Sequence, residues 1–435
     1  MNFRDRQILG IAVPSIVSNV TVPLLGLVDV AIVGHLGGAA YIGAITLGGM
    51  LFNVIYWLFG FLRMGTSGMT SQALGKRQLC DVSQLLVRSL IIALSIAFLF
   101  IVLQIPIRDL IFLLMKPAEG VRDFTVTYFS ICIWGAPAML GLYGLSGWFI
   151  GMQNSRIPML IAITQNVVNI AASLVFVFVL KMKVEGVALG TLIAQWGGFA
   201  MGLFLLFRYY GRLRRHFAWK GMWERASVLR FFKVNRDIFF RTVCMVSVLL
   251  FFTSAGSWQG EVMLAVNTLL MQFYLLVSYI MDGFAYAAEA MSGKFYGAGN
   301  FPAFRDTVRR SFAWGGVCTV FFTLLYIVGG DAFLRLLTDE PSVVSASRQY
   351  VWWAYLIPVC SIGAFIWDGI YIGITASRQM LLSMVAASVS FFVVYGSLYN
   401  WLGNHGLWLS FIIFLFTRGW MQTVLYFKFL RFSSS

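Results

Sequence analysis

The sequence predicts an all-α membrane protein: twelve transmembrane helices in two pseudo-symmetric six-helix lobes. Three observations predict it. Of 435 residues, 60% are hydrophobic and 11% charged, whereas a soluble domain carries about 25% charged residues. Twelve apolar runs are of the length needed to cross a hydrocarbon core, about 20 helical residues for about 30 Å. A shift of 222 residues lays the second half of the chain on the first without gaps.

The runs fall near 8–34, 42–66, 86–107, 124–150, 157–180, 186–208, 238–257, 262–290, 312–329, 350–373, 380–401 and 406–427. The first is too long for a signal-peptide core and carries Asp29, so it is read as a span rather than a cleaved leader. Pro14 and Pro23 lie inside it. Each removes a backbone donor and crowds the preceding turn, so a bend is expected, most plainly at Pro23.

Net charge is +15. The charges sit in short loops between apolar runs, so membrane topology accounts for them and no nucleic acid is expected. With both termini inside, the cytoplasmic segments hold 22 Lys and Arg residues and the outer loops 7. Outer cations include Arg108, Lys116, Lys181 and Arg348. That asymmetry predicts cytoplasmic termini. Three arginines, Arg63, Arg241 and Arg418, lie within spans or at their edges.

Residues 208–236 form the longest polar insertion and carry nine of the cytoplasmic cations. They separate a lobe at 1–207 from a lobe at 237–435. Aromatics alternate with arginines there, so the segment reads either as a topogenic linker or as an interfacial helix on anionic lipid.

The repeat is visible residue by residue. Met69 falls on Met291, Gly75 on Gly297, Arg88 on Arg310, Tyr128 on Tyr350, Gly151 on Gly373 and Arg156 on Arg378. Each half has an even number of spans, so both run in the same sense. Parallel repeats about an axis along the membrane normal are a secondary-transporter architecture, with substrate expected between the halves.

Chemistry within the spans rests on few groups. The acids are Asp29, Asp282, Glu289 and Asp368. A carboxylate inside a membrane costs about 2.5–3.5 kcal/mol on insertion scales, so each is expected to face a cavity or a partner. Asp282 and Glu289 are seven residues apart, nearly two turns, and share a helix face. Glu289 also sits where it could reach the cytoplasmic interface. Asp368 lies inside the tenth span in WDGIYIG. Gln165, Asn166, Asn169 and Thr191 supply amides and a hydroxyl that can bond a protonated Asp29, coordinate a cation with it, or join helices.

Other chemistries find no motif. His35, His216 and His405 lie at loops or helix ends, and the five cysteines are scattered without a CxxC pair. There is no Walker A pattern, and neither GxSxG nor HExxH occurs. No cofactor, no metal and no enzymatic activity are expected. An ion gradient is the remaining drive, and a proton site near neutral pH needs a carboxylate whose ionisation burial opposes.

The chain resembles the multidrug and toxin extrusion (MATE) transporters, and their DinF-type branch in particular. The resemblance rests on AVPSIVSNVTVPLLGLVDVAIVGHLG in the first span, MDGFAYAAEAMSGKFYGAGN in the eighth and WDGIYIGITASR in the tenth. It implies a fold of two six-helix lobes and a central cavity opened alternately to each side. It also implies export of small cationic or lipophilic compounds against H⁺ or Na⁺. The family's first-span carboxylate maps onto Asp29, its bending proline onto Pro14, and its cation-site Asn and Thr onto Asn169 and Thr191. The family often places a second Asp one turn after that Asn, where this sequence has Ser173. One carboxylate fewer favours a proton over a full Na⁺ site.

The expectation is therefore a monomeric multidrug antiporter of the bacterial inner membrane, with Asp29 coupling and Asp282, Asp368 and Glu289 facing cationic substrate. The rival is a flippase of lipid or polysaccharide precursors. Such a protein would be expected to bury cationic side chains for phosphate, and the acids in the spans favour the first reading.

Overall fold

The structure, a computed structural model, describes residues 3–34, 39–115, 119–338 and 340–433. Among them no strand occurs, and twelve helices are long and apolar enough to cross a membrane. They are Phe3–Ile32, Ala40–Gly75, Leu79–Val102, Gly120–Gly151, Arg156–Val179, Val184–His216, Arg225–Ser257, Glu261–Gly297, Phe301–Leu337, Pro341–Gly373, Ser377–Leu402 and Asn404–Lys428. Most outrun the apolar windows in the sequence. The ninth starts at Phe301 rather than near 312, because Arg305, Asp306, Arg309 and Arg310 lie outside the apolar window yet continue the helix. Hydropathy measures only the hydrocarbon-facing part of a span.

Local breaks have local causes. The second span turns at Phe59 and Gly60 between Ala39–Leu58 and Phe61–Gly75. The fourth tightens to a 3₁₀ turn at Ile133–Gly135, just before Pro137 enters the first turn of Ala136–Gly151. The first helix is continuous from Phe3 to Gly34 through Pro14 and Pro23. Around the prolines, side-chain oxygens bond the backbone: Ser15 Oγ to Ile11 O at 2.8 Å and Thr21 Oγ1 to Ser18 O at 2.8 Å.

By packing, the chain divides into a unit of Val17–Arg230 and a unit of Met1–Ile16 with Phe231–Ser435. This differs from the lobes expected at 1–207 and 237–435. The opening turns of the first span pack with the second six spans, and the basic insertion packs with the first six. The insertion is also shorter than expected. The sixth span runs on to a 3₁₀ turn at Gly211–His216, and the seventh begins at Arg225.

In the Val17–Arg230 unit the core gathers Phe52, Tyr56, Tyr128, Phe129, Leu140, Val184 and Val187. Phe52 stacks on Phe129 with ring centroids 5.3 Å apart. The second and fourth spans touch backbone to backbone. A Cβ on Gly147 would strike the Arg63 carbonyl, and one on Gly151 would stand 2.8 Å from the Ser67 carbonyl.

In the other unit Phe252, Tyr274, Trp408 and Phe411 fill the core. Asn267 and Asn404 exchange amide bonds of 2.8 and 2.9 Å, and Trp408 Nε1 donates to Asn267 Oδ1 at 2.8 Å. The start of the first helix is tied down by charge. Arg310 Nη1 donates to both Asp5 oxygens at 3.0 Å, Trp314 Nε1 to Asp5 Oδ1 at 3.2 Å, and Arg4 pairs with Asp306. The backbone approach of the first unit recurs here: a Cβ on Gly369 would strike the Ala285 carbonyl, and one on Gly373 the Glu289 carbonyl. Gly147 and Gly369, Arg63 and Ala285, Gly151 and Gly373, and Ser67 and Glu289 are each 222 residues apart. The sequence repeat is thus also a repeat of helix contacts.

Candidate functional site

Within the Val17–Arg230 unit a polar cluster forms around Asp29. Its carboxylate is buried, and Oδ1 has no hydrogen-bond partner. Asp29 lies within electrostatic range of Tyr128 and Cys132. The Tyr128 side chain in turn reaches Thr191 and Cys132. Asn169 Nδ2 donates to Thr191 Oγ1 at 3.0 Å, and Thr191 Oγ1 donates to Val187 O at 3.0 Å. Asn169 and Ser173 are fully buried, and Asn169 Oδ1 and Ser173 Oγ lack partners.

The helices are held close enough for this by glycine. A Cβ on Gly190 would collide with Ser173, so the fifth and sixth spans meet there at backbone distance. Asn166 Nδ2 crosses to the first span and bonds Thr21 O at 3.0 Å. That bond falls two residues before Pro23, so the fifth span braces the first beside its proline. Pro14 lies in the portion that packs with the other unit. Asp29 Oδ1 and Asn169 Oδ1 are buried acceptors that receive no hydrogen bond, and the Ser173 hydroxyl is unpartnered. A proton on Asp29 would supply a donor, and a hard cation would satisfy the acceptors directly.

The acids of the second half sit in a different chemistry. Asp368 is buried and paired with both Arg241 and Arg418, and Gln422 Nε2 donates to its Oδ1 at 2.6 Å. Arg418 also lies over the Phe365 ring, 5.9 Å from its centroid. Asp282 acts electrostatically on Arg241. Asp368 is therefore not an open carboxylate for a cationic substrate: its charge is taken by two guanidinium groups. The expectation that buried charge in this half is acidic is corrected as well, since Arg241 is 5% and Arg418 1% exposed. Glu289 is buried within the protein.

Tyr128, Cys132, Arg241, Arg418 and Gln422 are the site residues that sequence reasoning passed over. A signal existed for the arginines, which stand in apolar runs where a cation is costly. His35 and Lys116 lie outside the described residues. His405 Nδ1 accepts from Trp353 Nε1 at 3.1 Å, a packing role.

The MatE family model matches this chain twice, at residues 14–175 and 238–396, an offset that brackets the 222-residue shift. The chain belongs to the MATE family. Its DinF character follows from the DNA damage-inducible protein F of Escherichia coli (strain K12), 34% identical over 421 residues that cover 95% of this chain and 90% of that one. Multidrug and toxin extrusion protein 1 of Mus musculus is 28% identical over 80% of this MATE chain and 61% of its own length. Among solved structures, a MATE transporter in the bent conformation superposes with TM-score 0.88 at 19% identity, over 100% of this chain and 96% of that one. Another, an outward-facing multidrug resistance MATE family transporter, gives TM-score 0.83 at 19% identity over 100% and 97%. Twelve apolar helices and these relatives make this MATE chain a multi-pass membrane protein of a transporter family.

Proposed function

We propose that the chain is a proton-driven efflux antiporter of the bacterial inner membrane, with cytoplasmic termini, exporting small cationic, lipophilic compounds by alternating access. The observation that carries this reading is the buried Asp29 carboxylate, whose Oδ1 is unpartnered and which is linked through Tyr128 to the Thr191–Asn169 pair. Ionised Asp29 can only accept hydrogen bonds, whereas protonated Asp29 can donate one. The two states favour different packings of the first span, which Asn166 braces near Pro23. Proton entry and substrate release are then coupled through one helix. With Ser173 where the family often has a second Asp, H⁺ fits better than Na⁺.

Proteoliposomes under an imposed ΔpH or ΔNa⁺, loaded with a panel of cationic dyes, test this reading. Export driven by ΔpH at constant Na⁺ supports it. Export driven by ΔNa⁺ alone at constant pH would reassign Asp29, Asn169 and Thr191 as a cation site.

A second reading has an observation of its own. Arg241 Nε and both Nε and Nη1 of Arg418 are buried without partners, so this unit holds spare donors for a phosphate or carboxylate, as a lipid or precursor flippase would need. Asp368 and Asp282 offset the two guanidinium charges, which keeps cation export first. Transport of a phosphate-bearing lipid and not of dyes would reverse the order.

A further inference from the structure

The basic insertion after the sixth span is built into the Val17–Arg230 unit rather than left as a tether. Its chain is held by side chains of the third span. Gln84 Nε2 donates to Ala218 O at 2.8 Å and Lys220 O at 3.1 Å, Ser83 Oγ to Leu213 O at 3.4 Å, and Arg88 bonds Met222 O through Nε at 3.1 Å and through Nη2. Met222 is fully buried and plugs the loop into place, with Gly221 at φ 87° allowing the turn. Trp219 and Trp223 meanwhile face outward, 69% and 51% exposed. Exposed indoles of this kind are what membrane interfaces collect.

This docking leaves a cleft of about 100 Å³ between the ends of the second, third and seventh spans. Lys76, Arg88 and Arg230 line it, with Asp81 the one acid and Gln72, Gln78, Gln84 and Ser227 as neutral polar groups. Arg230 Nη2 donates to Gln72 Oε1 at 2.9 Å, which sets its guanidinium at the rim. Arg88 is 3% exposed and cannot leave the site to be solvated. Three cations against one carboxylate make a poor site for the cationic compounds proposed above and a good one for an anionic oxygen group.

We infer that this cleft binds a phosphate group, supplied by an anionic phospholipid of the cytoplasmic leaflet. The inference rests on the cytoplasmic orientation that the Lys and Arg asymmetry predicts. The outward Trp219 and Trp223 offer the interfacial indoles such a leaflet favours, and Arg212, Arg214 and Arg215 add attraction for it. Bound lipid ties the loop between the units' sequences to the ends of the second and third spans. Lipid composition thereby sets the stability of this face.

The test uses the full chain, delipidated in detergent and read by thermal unfolding and native mass spectrometry, so its result does not depend on transport. Phosphatidylglycerol should bind and raise Tm, phosphatidylcholine should not, and inorganic phosphate at millimolar concentration should compete. Lys76→Gln with Arg230→Gln should weaken phosphatidylglycerol binding roughly 30-fold, about 1 kcal/mol for each cation near the surface. Lys76→Glu, which changes an exposed side chain alone, should weaken it in the same direction without lowering the lipid-free Tm. Wild-type lipid binding by these variants would overturn the site. So would loss of binding only when Arg212, Arg214 and Arg215 are neutralised. Phosphate binding without any phosphatidylglycerol effect would overturn the lipid source and leave a free-phosphate site.

Discussion

Asn169 donates from Nδ2 to Thr191 Oγ1 at 3.0 Å, while its own Oδ1 is buried without a partner. The amide joins two helices with one end and leaves an acceptor open at the other. Asp29 Oδ1 and Ser173 Oγ are likewise buried without a partner, so a proton or cation reaching any of the three would relieve an unsatisfied group.

Asp29→Asn keeps the size of the side chain and imitates its protonated state. The variant should fold and bind substrate yet lose ΔpH-driven export by tenfold or more on an order-of-magnitude scale. Wild-type export rates in proteoliposomes would remove Asp29 as the coupling residue.

Ser173→Asp places a second carboxylate in the same cluster. It should confer export that responds to ΔNa⁺ at constant pH, because hard cations prefer anionic oxygen ligands. A variant that stays indifferent to Na⁺ would show that the cluster's geometry, not its charge count, excludes the ion.

Asp368→Asn leaves Arg241 and Arg418 facing one another in a buried site. Breaking such a cluster costs about 3–5 kcal/mol, so Tm in detergent should fall and export of cationic and neutral compounds should fall together. Asp282→Asn should weaken cationic substrates more than neutral ones. A selective loss in Asp368→Asn with unchanged Tm would return Asp368 to the substrate site.

Gly147→Ala and Gly369→Ala each push a methyl group into a backbone carbonyl. Neither carbonyl can swing away as a side chain would, so each should destabilise by about 1–3 kcal/mol or more. The two should behave alike, since the contact is the same in both repeats. Yield and unfolding temperature of the paired variants measure this. One tolerated and one lethal substitution would break the equivalence.

The twelve helices were legible because lipid imposes its demand along the chain. Every backbone polar group must be satisfied within its own segment, and roughly 20 apolar residues are needed to do so across the core. Asp29 was legible for the same reason: a lone acid in a first-half span is expensive wherever it points. The repeat could be read because a constant 222-residue offset survives in glycines and arginines, and the structure shows why at Gly147 and Gly369, where no side chain fits. Partnership was not legible. Arg241 and Arg418 reach Asp368 across 127 and 50 residues of sequence. Hydropathy places a residue by depth and says nothing of the helix rotation that brings charges face to face. Nor could the sequence divide the first span, whose opening turns pack with Phe231–Ser435 while the rest packs with residues up to Arg230. Composition is felt residue by residue and is written in the chain. Pairing depends on tilt, rotation and close approach of distant helices, and only the folded molecule decides those.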